Sequence, residues 1–168
     1  MPVRPLRGDT RQESADFYAA AVYGSIVATS LATAFRQEHA TPEATALALI
    51  STLVVFWLAH VWSAIVGDRL HRGAPPSLTR ARTIARAEWP LVEAAFAPVV
   101  VLLLGWAGVL GAASASTGAI LVSCLELFAW GIAVGRRAYG RWRPALLSGL
   151  VDGVLGLVLV SLELVLVH

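Results

Sequence analysis

The sequence predicts an all-α integral membrane protein with five transmembrane helices, a cytoplasmic N-terminus and the C-terminus outside. Composition is the first observation: 57% of the 168 residues are hydrophobic and only 14% are charged, whereas soluble domains carry about a quarter charged residues. The second observation is that every basic residue is arginine, and that 12 of the 13 fall in three clusters between apolar segments. One transmembrane domain over residues 17–168 is expected, preceded by a cytoplasmic tail over residues 1–16.

Five apolar segments are long enough to cross a bilayer, because about 20 residues at a rise of about 1.5 Å each cover a hydrocarbon core of ~30 Å. Backbone groups inside the hydrocarbon must be hydrogen-bonded within their own segment, so each segment is expected to be helical. The first segment also resembles a signal peptide, but the acidic residues that precede it argue against cleavage. The predicted spans are 17–35, 44–67, 90–112, 117–135 and 144–167.

The arginine clusters orient these spans. They precede the first span, separate the second from the third, and separate the fourth from the fifth, while Arg36 alone lies on the other side. Cytoplasmic loops carry the excess of arginine in membrane proteins, so the N-terminus is predicted inside. The same rule accounts for the net charge of +2 without a nucleic-acid partner. We expect a multi-pass protein of the cell (plasma or inner) membrane, in contact with membrane lipids.

The loop between the second and third spans is predicted to form a short interfacial helix over residues 77–89. Gly73, Ala74, Pro75 and Pro76 interrupt the preceding helix, and Ser77 can cap the next one. Arginines around an apolar stripe would bind anionic headgroups of the cytoplasmic leaflet. A solvated basic loop is an equally good interpretation. The candidate lipid-binding residues are Arg80, Arg82 and Arg86.

Ionisable residues within the spans are the main functional candidates, because a charge at bilayer depth costs about 2.5–3.5 kcal/mol on insertion scales. Measured from the predicted cytoplasmic helix ends, His60 lies about 10 Å deep, Asp152 about 12 Å and Glu126 about 13 Å. A histidine between two carboxylates at one height suits a proton relay, although a buried polar cluster that only fixes helix packing gives the same pattern. The candidate proton or ion pathway comprises His60, Glu93, Glu126, Asp152 and Glu163, with Trp57 as a candidate gate.

Hydroxyl groups, proline and glycine are expected to shape the helices themselves. Ser25, Thr29 and Thr33 form a stripe that either lines a path or bonds back to the carbonyl four residues earlier. Pro98 is predicted to kink the third span. Small residues spaced by four, as in the segments 131–135 and 149–153, permit close helix approach.

No known catalytic, cofactor-binding or metal-binding motif is present in the sequence, so no catalytic residue, cofactor or metal site is predicted. We expect a small channel or proton-coupled transporter for a cation or proton. Five helices are few to enclose a path, so a homo-oligomer is expected. The alternative is a non-transporting scaffold, sensor or accessory subunit whose cytoplasmic arginine-rich face docks anionic lipid or a partner protein. An intramembrane enzyme acting on lipid is the least favoured hypothesis, because no nucleophile is paired with a base.

Overall fold

The part of the chain that the structure describes folds into seven α-helices and contains no strand. The structure, a computed structural model, describes residues 9–166, with the backbone alone for residues 9–14, 164 and 166. The first helix begins within the segment that was predicted to be a tail. The helices are α1 (Asp9–Gln37), α2 (Pro42–Arg72), α3 (Leu78–Ala87), α4 (Pro90–Glu93), α5 (Phe96–Trp106), α6 (Ala112–Tyr139) and α7 (Trp142–Leu166).

Four of the helices, α1, α2, α6 and α7, are long and apolar enough to cross a membrane. A fifth crossing is added if the segment from α3 to α5 counts as one bent span. The predicted spans 17–35, 44–67 and 117–135 fall inside α1, α2 and α6, and the fifth span falls inside α7 except for Val167, which lies outside the described residues. The prediction of an all-α protein with apolar, membrane-compatible helices is therefore confirmed.

The third predicted span, 90–112, differs from the structure in two ways. It is broken at Ala94 and Ala95, where the α3–α4 segment and α5 meet at an angle of 46°, and its helix ends at Trp106, before a turn in which Gly108 has a φ of 75°. Pro98 explains the break, because it has no N–H to donate to the carbonyl of Ala94 and its ring crowds that carbonyl. The predicted kink at Pro98 is confirmed, one turn upstream of the proline itself.

The predicted short helix after the second span is confirmed as α3. Its N-cap is Ser77, whose hydroxyl accepts a hydrogen bond from the backbone N–H of Arg80 at 3.3 Å, as the sequence analysis expected. The preceding helix α2 ends at Gly73, where a φ of 66° lets the backbone N–H reach the carbonyl of Arg69 at 2.8 Å. A left-handed turn of this kind favours glycine.

Helix α1 holds the bundle together, because it packs against α2, α4, α6 and α7. Its buried face consists of small residues, alanine, glycine, serine and threonine, with Ala21 and Ala28 fully buried. At Gly24 the backbone of α4 comes so close that an added Cβ would lie 2.5 Å from the carbonyl oxygen of Leu91. Small residues let the backbones of these helices pack closely. Such packing is needed because helices surrounded by lipid have no hydrophobic driving force for association.

Helices α6 and α7 also meet through glycines. A Cβ added to Gly131 would lie 2.7 Å from the Cα of Gly149, so the two backbones are in contact over the segments singled out in the sequence. The opposite face of α7 carries exposed leucine and valine side chains, among them Leu147, Leu150 and Val154. Such a face is suited to lipid rather than to water.

Candidate functional site

His60 lies on α2, beside α1 and the α3–α4 segment. Its Nδ1 donates a hydrogen bond to the backbone carbonyl of Phe56 at 2.9 Å, because a carbonyl can only accept, and this leaves Nε2 as an acceptor. Its ring centroid lies 5.1 Å from that of Tyr23 on α1. Within the described residues, His60 forms no hydrogen bond or ion pair with Glu126 or Asp152.

Glu88 is the carboxylate that interacts electrostatically with His60, and it also interacts with Asp16 of α1. It follows α3 directly, and it lines a cavity of about 540 Å³, which we call the Glu88 cavity. The sequence analysis did not include Glu88 among the candidates, because this residue lies in the polar segment between the second and third predicted spans. A signal was available in its position, directly before Trp89 and Pro90, where the chain turns towards the apolar segment. The Glu88 cavity is lined by Asp16, Asp68, His71, Arg80, Thr83 and Glu88.

Asp152 lies on α7, with its carboxylate over a glycine of α6. A Cβ added to Gly131 would stand 2.5 Å from Asp152 Oδ2, so the missing side chain leaves the room that the carboxylate occupies. Asp152 lines a cavity of about 920 Å³ between α1, α6 and α7, which we call the Asp152 cavity. Its polar and principal apolar lining residues are Tyr18, Tyr23, Val134, Arg137, Ser148 and Asp152.

Tyr23 connects the surroundings of His60 and Asp152. It lines the Asp152 cavity, and its ring also contacts those of His60 and Phe56, at centroid distances of 5.1 and 6.1 Å. Of the three groups predicted at one height, His60 contacts Tyr23 and Asp152 shares a cavity with Tyr23, and these two groups form no direct hydrogen bond or ion pair among the described residues. Tyr23 was not among the candidates, because a single aromatic residue in an apolar helix has no distinguishing pattern.

Glu163 lies near the other end of α7. The hydroxyl of Ser30 on α1 lies near its carboxyl group and interacts with it, while Oε2 is buried and forms no hydrogen bond in the described part of the chain. A third cavity, of about 600 Å³, opens at this end between α1, α6 and α7, and we call it the Arg36 cavity. It is lined by Thr33, Arg36, His39, Ser116, Thr117 and Val160 among others.

Glu126 and Glu93 are separate from these contacts. Glu126 is half-buried on α6, and its Oε2 has no hydrogen-bond partner within residues 9–166. One turn further, Trp130 packs edge-on against Phe17 and Tyr18 of α1, at centroid distances of 5.9 and 6.1 Å. Glu93 ends α4, directly before the break, and is also half-buried.

Trp57, the candidate gate, attaches α3 to α2. Its indole N–H donates to the backbone carbonyl of Ala85 at 2.9 Å, and its ring packs edge-on against Trp89 with the centroids 5.6 Å apart. The carbonyl of Ala85 lies in the last turn of α3, where no backbone N–H of the same helix is available as its donor. The indole N–H of Trp57 supplies that hydrogen bond. These contacts describe an anchor, and the gating role stays a prediction.

The candidate lipid-binding arginines differ in their surroundings. Arg80 pairs with Asp68 of α2 at 3.3 Å, and Arg72 pairs with the same carboxylate oxygen at 3.1 Å. Arg82 and Arg86 are exposed and form no ion pair among the described residues. Of the three candidate arginines, Arg82 and Arg86 can bind an anionic headgroup without breaking an ion pair within the described part of the chain.

The hydroxyl stripe of α1 bonds back to its own helix. Thr29 donates to the carbonyl of Ser25, and Thr33 donates to that of Thr29, both at 2.8 Å. Of the two interpretations of this stripe, local bonding is confirmed for the two threonines. Ser25 Oγ is buried and has no partner in the described residues.

Among the residues that the structure describes, no group of three His, Cys, Asp or Glu side chains is placed to hold a metal ion. Three carboxylates on α6 and α7 form no ion pair with the described residues. Asp152 lines a cavity, Glu163 lies near a hydroxyl group, and Glu126 has an unpartnered oxygen. Neither a protein-family model, nor a curated protein, nor a solved structure matches the chain.

Proposed function

We propose that the protein is a small cell-membrane channel or proton-coupled transporter that moves protons or a monovalent cation along the interface of α1, α6 and α7. The observation that carries this proposal is a cavity at each end of this interface, one lined by Asp152 of α7 and the other lined by Val160, one helical turn from Glu163. The Asp152 cavity lies at one end of the interface and the Arg36 cavity at the other. Glu163 lies beside Ser30, close to the Arg36 cavity. Half-buried carboxylates that form no ion pair with the described residues are costly in a membrane, which favours a functional reason for them.

We further propose five crossings with the N-terminus inside. The segment from α3 to α5 runs the length of α2: Arg80 pairs with Asp68 near the C-terminal end of α2, while a Cβ added to Gly105 would lie 3.3 Å from Pro42 at the N-terminal end. A re-entrant loop would return to the end from which it started, so this course favours a crossing. Arginine placement supplies the orientation.

The two cavities are separated by a packed layer. A Cβ added to Gly156 of α7 would lie 3.3 Å from Leu127 Cδ2 and 3.6 Å from Cys124 Sγ, and Leu127 is fully buried. Asp152 and Glu163 are about 16 Å apart by helix rise, too far for direct proton exchange. Transport therefore needs water or a helix movement to open this layer.

A branch to the Glu88 cavity is part of the proposal. Tyr23 touches both the Asp152 cavity and His60, and His60 interacts with Glu88. A phenol hydroxyl and a neutral imidazole can each accept and donate a proton, so this chain of groups is suited to bring protons to Asp152 from the arginine-rich side. Glu126 and Glu93 remain proposed members of the pathway.

Flux into proteoliposomes tests the proposal. A pH-sensitive dye is enclosed, a K⁺ potential is imposed, and wild type is compared with Asp152→Asn and with Glu43→Gln, an exposed carboxylate at the start of α2. We expect Asp152→Asn to reduce flux to the level of empty liposomes and Glu43→Gln to leave it unchanged. Wild-type flux equal to that of empty liposomes at both signs of potential and across pH would overturn the proposal.

A second candidate function is lipid or protein docking by α3. It is favoured by the exposed, unpaired Arg82 and Arg86 on a helix that Trp57 and Asp68 hold in place. Neutralising both arginines would then weaken binding of anionic lipid to the purified protein by about 1 kcal/mol for each charge.

The predicted homo-oligomer is independent of the proposed path, because that path lies inside one chain. Measuring the mass of the protein in nanodiscs tests the oligomer.

A further inference from the structure

The Asp152 cavity has the chemistry of a binding site for an amphipathic organic cation, and we propose that such a cation is its ligand. This inference rests on the proposed function, of which it names the substrate class. The cavity measures about 920 Å³, within the range of about 300–1,000 Å³ that is usual for drug-sized ligands. An inorganic ion would leave most of that space unfilled.

The walls of the cavity are apolar and aromatic except at a few points. Val22, Ile26 and Val134 contribute aliphatic surface, and Tyr18 and Tyr23 contribute two rings. Tyrosine faces attract cations through the ring quadrupole. The mixture of a largely apolar wall with few polar groups is typical of sites for small organic ligands rather than for water-filled ion paths.

The charge in the cavity is arranged for a cation at the end that Asp152 lines. Asp152 forms no hydrogen bond or ion pair among the residues that the structure describes. Arg137 also lines the cavity, but it follows Gly131, which faces Asp152, by six residues, and so lies about 9 Å nearer the arginine-rich end of α6. A ligand with its cationic group at Asp152 and its apolar body against the tyrosines avoids Arg137 at the mouth.

Equilibrium binding of radiolabelled tetraphenylphosphonium to the purified full-length protein in detergent tests this site. Tetraphenylborate is the matched probe, because it has the same shape and the opposite charge. We expect saturable binding of the phosphonium by wild type, affinity at least about tenfold lower in Asp152→Asn, and no change in Glu43→Gln. Saturable borate binding that Arg137→Gln removes would overturn the proposal, as would an Asp152→Asn variant with wild-type affinity.

A second variant covers the case in which Asp152→Asn does not fold. Ala19 lines the cavity on α1 and is solvent-exposed in the structure, so Ala19→Phe reduces the cavity volume without changing a charge. We expect it to weaken phosphonium binding while its elution volume stays that of wild type. If the folded variant bound phosphonium with wild-type affinity, the proposed binding site would be contradicted.

The failure of this inference and the failure of the proposed function give different results. Wild-type proton flux without saturable phosphonium binding would overturn the substrate class and leave transport standing. Saturable, Asp152-dependent binding without flux would support the cation site and overturn transport.

Discussion

The junction of α2 with α3 and the interface of α1, α6 and α7 use polar residues in opposite ways. At the junction, polar groups have partners: the Asp68 carboxylate accepts hydrogen bonds from Arg72 and Arg80, and the indole N–H of Trp57 donates to a backbone carbonyl of α3. At the interface, Asp152 has no partner and Glu163 has a single hydroxyl, among the described residues. The polar groups at the junction attach one helix to another. The carboxylates at the interface have no such role, so helix attachment does not explain the free-energy cost of placing them there. Four substitutions break or sharpen that distinction.

Gly131→Ala should have the largest effect. The added Cβ would lie 2.5 Å from Asp152 Oδ2, 2.7 Å from Gly149 Cα and 2.9 Å from the carbonyl oxygen of Ser148. Because two of these atoms belong to the backbone, α6 and α7 must separate, at a cost of about 1–3 kcal/mol. Thermal unfolding in detergent measures it. The control is Gly67→Ala, where a Cβ meets nothing within 4 Å; equal stability of the two variants would contradict the packing described for α6 and α7.

Asp68→Asn should loosen α3 with little effect elsewhere. It removes the charge that holds Arg72 and Arg80, whose side chains are 62% and 45% exposed. Solvent screening limits the loss to about 1 kcal/mol. Faster trypsin cleavage at the arginines of α3, with unchanged proteoliposome flux, is the expected result. A loss of flux equal to that of Asp152→Asn would mean that the junction and the interface are not functionally distinct.

Trp57→Phe distinguishes an anchor from a gate. The phenyl ring keeps an aromatic contact with Trp89, but the hydrogen bond to the carbonyl of Ala85 is lost, at about 1 kcal/mol. An anchor predicts a modest fall in thermal stability and unchanged flux. Raised or voltage-altered flux in the same variant would favour the gate.

Tyr23→Phe should have the smallest effect on stability, because the ring contacts with His60 and Phe56 are retained. Only the hydroxyl is removed. If protons reach Asp152 through His60 and Tyr23, initial flux rates should fall several-fold while phosphonium affinity changes little. Wild-type rates would remove the His60 branch from the proposed path and leave the interface of α1, α6 and α7 as the whole of it.

The sequence predicted the helices well because their limits depend on local chemistry. Apolar length, the cap at Ser77 and the missing N–H of Pro98 act within a few residues of the feature they cause. These quantities could be obtained without any knowledge of which helices are neighbours.

Side-by-side arrangement could not be obtained in that way. His60 and Asp152 were predicted at one depth, but α1 packs against both of their helices, and Tyr23 lies in contact with His60 and in the wall around Asp152. That order depends on close approaches such as the one between Gly24 and Leu91, which no periodicity encodes. Glu88 was missed for a related reason, since its partner His60 lies on another helix.

In the topology proposed here, the length of α2 carries its arginine-rich end beyond the hydrocarbon. Its 31 residues extend about 46 Å, roughly 16 Å more than the hydrocarbon thickness of about 30 Å. A surplus at that end would place Asp68 among headgroups and counter-ions, which screen interactions between exposed charges. On that proposal, salt and the lipid composition of the leaflet act directly on the attachment of α3 to α2.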